Sequence, residues 1–121
     1  MDISKFVYSF MAEKPVVWLG SALDDLRAFP EEARRSAGHE IHLVQKGLEP
    51  SDWKPMPSVG PGVMELRIHS QLEHRVFYIA KFPEAVFVIH AFQKKTRKTA
   101  KHDIDLAKHR HAELIRKRSK R

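Results

Sequence analysis

The sequence predicts an α+β protein in which helices pack on an antiparallel sheet. The middle of the chain, residues 63–92, holds three consecutive strand patterns joined by short turns, and helical patterns lie before and after it. Strands joined by short turns pair antiparallel. With 121 residues and 42% apolar side chains, the chain is long enough for one modest core. We therefore expect a single domain over residues 1–121, with an N-terminal helical hairpin and a C-terminal helix on an antiparallel sheet.

The first half of the chain predicts one strand and two helices. Residues 14–20 are rich in β-forming side chains and end in glycine, which indicates a first strand. Ser21 suits the N-cap of a helix over 22–29, and a proline separates this helix from a second one over 31–47. Residues 49–61 contain repeated prolines and predict a loop.

The second half predicts three strands and one helix. Residues 63–69 and 74–81 alternate apolar with polar side chains, while 85–92 is almost wholly apolar, which is typical of a central strand. An apolar stripe predicts a final helix over 103–118. His111 lies on this stripe, so we expect it to pack in the core.

Positive charge is concentrated in the last quarter of the chain. Residues 93–121 carry twelve Lys or Arg against three Asp or Glu, whereas the first 92 carry ten against twelve, within a net charge of +7. Such a block attracts phosphate backbones. The alternative is a solvated helix face that continues into a basic tail from about residue 116.

Several classes of function are not supported by any motif. The chain has no cysteine for disulfides or thiol catalysis and no long apolar run for a membrane span. The N-terminal apolar run is short and lacks a cleavage site, so we expect a cytoplasmic protein without a secretory signal. No Gly-rich phosphate loop is present, and His109 and His111 point to different sides of a helix. We therefore expect neither a metal nor another cofactor.

The remaining candidate for chemistry is a group of cations around the sheet. If the turn near Gln71 has an odd number of residues, Arg67 and Arg75 share one open face of neighbouring strands, and the opposite face packs against the helices. The basic run 94–98 follows the central strand. Together these cations would form a phosphate cradle. The alternative is that both arginines form ordinary surface ion pairs with Glu65 and Glu73.

Such a cradle is compatible with RNA cleavage by the neighbouring 2′-hydroxyl, which needs no metal. The reaction needs a cation beside the phosphate that gains charge, a base for the 2′-hydroxyl, and an acid for the leaving 5′-oxygen. Lysine, arginine and histidine side chains can supply these roles.

Three segments resemble one protein family over about residues 15 to 115. They are Met64-Glu-Leu-Arg, His74-Arg-Val-Phe-Tyr-Ile, and the apolar strand that runs into Phe92-Gln-Lys-Lys-Thr-Arg-Lys-Thr. The final helix begins Ile104-Asp-Leu-Ala-Lys. In this order the segments resemble the RelE/ParE toxin superfamily, and most of all its HigB-like, phage-derived branch.

The resemblance implies a microbial ribonuclease-like fold without a cofactor that cleaves mRNA in the ribosomal A site. It implies neutralisation by a helix-turn-helix, HigA-like antitoxin, and contact with operator DNA only through the antitoxin complex. By motif position, Arg75 corresponds to the arginine near the scissile phosphate. Lys94 or Lys95 corresponds to the second catalytic cation, and Arg67 lies among the residues that hold RNA. Arg97 and Lys98 extend that RNA-binding group.

The chain also departs from the pattern of this superfamily. RelE itself has a tyrosine near its C-terminus, and no tyrosine follows Tyr78 here. The acid and base remain open among His90, His102 and a lysine. Two other functions remain open as well: a ParE-like inhibitor of DNA gyrase, and a non-catalytic basic module that binds nucleic acid.

Overall fold

Five strands and three helices follow one another over residues 13–120, the part of the chain that the computed structural model describes. The N-terminal apolar run lies outside these residues. Within them, no helix is both long and apolar enough to span a membrane. The elements are, in order, β1 (Val16–Trp18), α1 (Ala22–Arg27), α2 (Glu31–Gln45), β2 (Trp53–Pro55), β3 (Val63–His69), β4 (Glu73–Ile79), β5 (Val86–Gln93) and α3 (Lys101–Ser119).

The strands form one mixed sheet in the order β1-β5-β4-β3-β2. The three middle strands are antiparallel neighbours, as predicted. The expectation of a wholly antiparallel sheet is wrong, because β1 pairs parallel to β5 along Val16↔Val86 to Trp18↔Val88. The partner of β1 is remote in sequence, and local patterns carry no information about such a pairing.

The edge strand β2 lies inside the segment that was predicted to be a loop. It pairs antiparallel with β3, with Trp53 opposite Leu66 and Pro55 opposite Met64. An edge strand tolerates proline because its outer side needs no ladder donor. The prolines that predicted a loop are therefore compatible with this short strand.

Helices cover both faces of the sheet. Helices α1 and α2 are separated at Pro30, as predicted, and pack on the face predicted to be buried. The opposite face was predicted to be open, but α3 packs on part of it, and His111 is buried there as expected. The first interface includes Ala22, Leu26, Ala33, Ile41, Leu66, Ile68, Val76 and Tyr78. The second includes Phe77, Ile79, Phe87, Ile89, Ala107 and Leu114.

A β-bulge changes which residues of β5 face α3. Phe77 pairs with His90 while Tyr78 pairs with Val88, which leaves Ile89 as the extra residue. Since a bulge shifts the alternation by one residue, both Ile89 and His90 lie on the α3 face. This irregularity brings His90 beneath the start of α3.

The end of α3 and the start of α1 differ in detail from the predictions. Helix α3 continues to Ser119, so residues 116–119 are helical and do not form a tail. There Arg118 Nε donates to Glu84 Oε2 at 2.7 Å, and its guanidinium lies 3.5 Å from the centroid of the Phe82 ring. At α1, the Ser21 side chain makes no cap bond and its hydroxyl donates to a side chain within the helix.

Candidate functional site

Arg67 and Arg75 lie directly opposite each other on β3 and β4, on the same face, as the alternation predicted. The buried carboxylate of Glu65 lies beside them. Its Oε1 atom is 3.3 Å from Arg67 Nε, 3.9 Å from Arg75 Nε and 3.9 Å from Lys54 Nζ. A single buried anion is therefore surrounded by three cations from three neighbouring strands.

Arg75 is buried, which contradicts the prediction that it stands on an open face. Its side chain is 7% exposed, and its Nη1 donates to Glu73 Oε1 and to the His74 carbonyl, both at 3.0 Å. Phe92 on β5 lies opposite it on the side away from Arg67. The ion pairs of the alternative interpretation do exist, but the pair of Arg75 with Glu65 is buried and the pair with Glu73 is partly buried.

The basic run after β5 continues from the same place. Lys94 extends the strand, with its N–H donating to the Glu73 carbonyl at 2.8 Å. Lys94 and Lys95 line a cavity of about 450 Å³ together with Phe92 and residues at the start of α3. Lys94 is half-buried and Lys95 is exposed, as are Arg97 and Lys98.

The structure therefore brings the predicted cations together on one side of the molecule, with different roles for the two groups. Arg67 and Arg75 are paired with carboxylates. The four cations of the loop after β5 make no ion pair with any residue between 13 and 120. Those loop cations are free to meet phosphates without first breaking a salt bridge.

A buried imidazole–carboxylate pair joins β5 to α3 beside this loop. His90 Nε2 lies 2.7 Å from Asp103 Oδ1, and the His90 ring stacks on Phe92 with centroids 4.9 Å apart. Burial lowers the pKa of His90, although the hydrogen bond with Asp103 acts in the opposite direction. His102, the other histidine considered as an acid or base, is exposed and lies 3.4 Å from Asp103.

A comparison with protein families matches most of the chain. A family model described as "Phage derived protein Gp49-like (DUF891)" matches residues 24–112, which is well over half of the chain. The chain belongs to the Gp49-like family. Members of this family are phage-derived, RelE-like proteins of toxin–antitoxin systems. A comparison with curated proteins gave no match.

The Gp49-like match extends from α1 into α3 and contains the buried carboxylate, both arginines and the basic loop. Two functional candidates in it were missed by sequence reasoning. Glu65 shares the alternation that placed Arg67 on this face, so a signal was present, but Glu65 was considered only as an ion-pair partner. Asp103 is the first residue of the predicted final helix, and nothing local indicated its contact with His90.

No group of three or more His, Asp or Glu side chains within residues 13–120 is arranged to hold a metal ion.

His69 should make the stability of the protein depend on pH. Asp52 and Glu73 accept hydrogen bonds from its ring at 2.6 and 2.8 Å, and these bonds raise the pKa of His69 above the usual 6.5. A pKa raised on folding gives stabilisation that is present below pH 6.5 and lost as pH rises through the folded-state pKa. We expect His69→Gln to destabilise the protein near about pH 5.5 and to have little effect near about pH 8.5.

Urea unfolding of the wild type and of His69→Gln at both pH values tests this expectation, with the exposed His109→Gln as the matched control. The expectation would be contradicted if the difference in unfolding free energy between wild type and His69→Gln were the same at both pH values.

Proposed function

We propose that this Gp49-like protein is the toxin of a type II toxin–antitoxin system, of the HigB-like branch, and that it cleaves mRNA on the ribosome. The observation that carries the proposal is the buried Glu65 carboxylate between Arg67 and Arg75, next to a cavity lined by Lys94 and Lys95. An anion and several cations held together in this way match the requirements of cleavage by a 2′-hydroxyl, which needs no metal.

In this proposal Arg75 and Glu65 act at the scissile nucleotide. Glu65 takes the proton of the 2′-hydroxyl, whose oxygen then bonds to phosphorus as the bond to the 5′-oxygen breaks. Arg75 stabilises the charge that develops on the phosphate, and its buried position strengthens that interaction because water is excluded. Its Nε is buried and has no hydrogen-bond partner within residues 13–120.

The other cations have supporting roles in the proposal. Arg67, with about one third of its side chain exposed, exchanges Glu65 for an RNA phosphate. Lys94 or Lys95 is the second catalytic cation, and its ammonium group gives a proton to the leaving 5′-oxygen. Arg97 and Lys98, which are exposed and unpaired within the described residues, bind the RNA backbone further along.

Primer extension on mRNA from cells that express the protein tests the proposal. We expect discrete cuts that disappear when translation of the same mRNA is blocked by a mutated start codon. Breaks in DNA that depend on gyrase would instead indicate a ParE-like inhibitor. If neither kind of break occurs while the purified protein still binds RNA, it is a non-catalytic binding module.

We also propose that the protein acts in the cytoplasm and is neutralised by a helix-turn-helix, HigA-like antitoxin, through which alone it would meet operator DNA. An antitoxin segment that covers the cationic loop would need complementary acidic groups. We then expect the dissociation constant of the complex to rise steeply between about 0.1 M and 1 M salt, where the Debye length falls from about 10 Å to about 3 Å.

Isothermal titration at these two salt concentrations measures this dependence. An affinity that does not change with salt would indicate that the antitoxin binds away from the cationic loop. The apolar cavity of about 510 Å³ that Leu48, Trp53 and Met64 help to line would then be the better position.

A further inference from the structure

The central strand β5 leaves part of its outer edge without a partner strand. On the inner side, β4 follows β5 as far as Gln93. On the outer side, β1 pairs only along Val86–Val88. Just beyond, Arg110 Nη1 donates to the Ile89 carbonyl at 3.0 Å. From this point to the end of β5, no strand covers the edge.

The backbone groups that face outward on this edge belong to Ala91, which is buried, and to Gln93, which is partly exposed. The N–H of Lys94 donates to the Glu73 carbonyl of β4. In an antiparallel pair the residues alternate between the two edges, so Phe92 directs its N–H and C=O to β4, while Ala91 and Gln93 direct theirs outward. No residue between 13 and 120 forms a hydrogen bond with these outward groups.

A cavity of about 360 Å³ lies along this edge, between the end of α1 and the start of α3. Ala28 and Phe29 line it on the side of α1, and His102 lines it on the side of α3. His74, which is 1% exposed and has an unpartnered Nδ1 among the described residues, is part of the same wall. The cavity thus combines apolar contacts with imidazole groups and a pair of free backbone donors and acceptors.

This cavity adjoins the one that contains Lys94 and Lys95. The two share the side chains of Phe92, Gln93, His102 and Asp103. These shared residues place the free edge next to the cavity of the lysines.

We propose that this cavity binds an unpaired nucleobase of the RNA, an inference that rests on the proposed function. The edge of a nucleobase presents hydrogen-bond donors and acceptors side by side, which match the neighbouring N–H and C=O of a strand residue. The ring faces pack on aromatic and apolar groups. A peptide that adds a strand needs a longer free edge than Ala91 to Gln93 provides, since α1 and α3 close both sides.

Titration of the ¹⁵N-labelled protein with each of the four nucleoside 5′-monophosphates tests the inference. We expect at least one nucleotide to shift the amide signals of Ala91 and Gln93 in a saturable manner, together with those of the lysine loop. Inorganic phosphate should shift only the loop. The inference is overturned if no nucleotide shifts the two edge amides more than phosphate does.

A substitution that fills the cavity provides the second arm of the test. Ala28 is exposed and lines the cavity, so Ala28→Trp should weaken nucleotide binding by about tenfold or more, equivalent to about 1.4 kcal/mol. Ala112→Trp makes the same change at an exposed position of α3 outside the cavity and should leave binding unchanged. Equal affinities for both variants would contradict the proposal.

The two arms also separate this inference from the proposed function. If nucleotides bind at Ala91 and Gln93 but the protein cuts no mRNA, the base site is supported and the proposed nuclease activity is contradicted. If both Ala28→Trp and Ala112→Trp cut mRNA at discrete positions with the same base preference, the nuclease activity is supported and the base site is overturned.

Discussion

Replacing Arg75 by alanine is expected to lower the rate of mRNA cleavage on the order of a hundredfold or more, the usual effect of removing one transition-state donor. Arg75 is the buried cation of the site, and a buried charge acts on the phosphate with little screening by water. Single-turnover cleavage of mRNA on programmed ribosomes measures the rate. Growth arrest of cells expressing the variant should be lost in parallel.

The burial of Arg75 makes a stability control necessary. Without its guanidinium, the Glu65 carboxylate loses one of the cations that surround it and Glu73 loses its 3.0 Å partner. Arg75→Lys retains the charge but not the planar fork, so it should fold better than Arg75→Ala and still cleave slowly. Lys117→Ala, an exposed change on α3, should alter activity only mildly. If folded Arg75→Ala, checked by circular dichroism, cleaved at the wild-type rate, the site assignment would be wrong.

Replacing Glu65 by glutamine should lower the cleavage rate by about 10²- to 10⁴-fold, because the amide cannot take the proton of the 2′-hydroxyl. The shape of the side chain is preserved, so the loss is chemical rather than steric. The pH–rate profile distinguishes this role from a merely structural one: the acidic limb that reports ionisation of the base should disappear in Glu65→Gln.

Glu65→Gln also removes the anion that Lys54, Arg67 and Arg75 surround. Loss of one partner of a buried pair costs at most about 3–5 kcal/mol, and less here because Lys54 and Arg67 are partly solvated. Glu113→Gln, at a partly exposed pair with Arg116, is the matched control and should affect neither rate nor stability by much. An acidic limb that persists unchanged in Glu65→Gln would exclude Glu65 as the base.

Much of the fold follows from patterns of neighbouring residues. The alternation in 63–69 and 74–81 placed Arg67 opposite Arg75 and their apolar neighbours against α1 and α2, because side chains of a strand alternate between two faces. Pro30 separates α1 from α2 because proline cannot continue a helix in its interior. These features depend on local geometry, so they can be inferred without knowing what packs where.

Other features depend on contacts between remote segments. The parallel pairing of β1 with β5, the edge strand β2 and the bulge at Ile89 were not predicted, and each is set by tertiary packing. The bulge has the largest consequence for the site. It turns His90 towards α3, where Asp103 binds it at 2.7 Å.

By itself, the sequence determined that this is an α+β chain whose cations gather on one sheet face and in the loop that follows. Periodicity and composition are local properties, and they were sufficient for that conclusion. The tertiary structure alone decided that Arg75 is buried, that Glu65 lies between the cations, and that part of the β5 edge stays free. Burial and strand order depend on which distant elements cover a residue, and no local pattern contains that information.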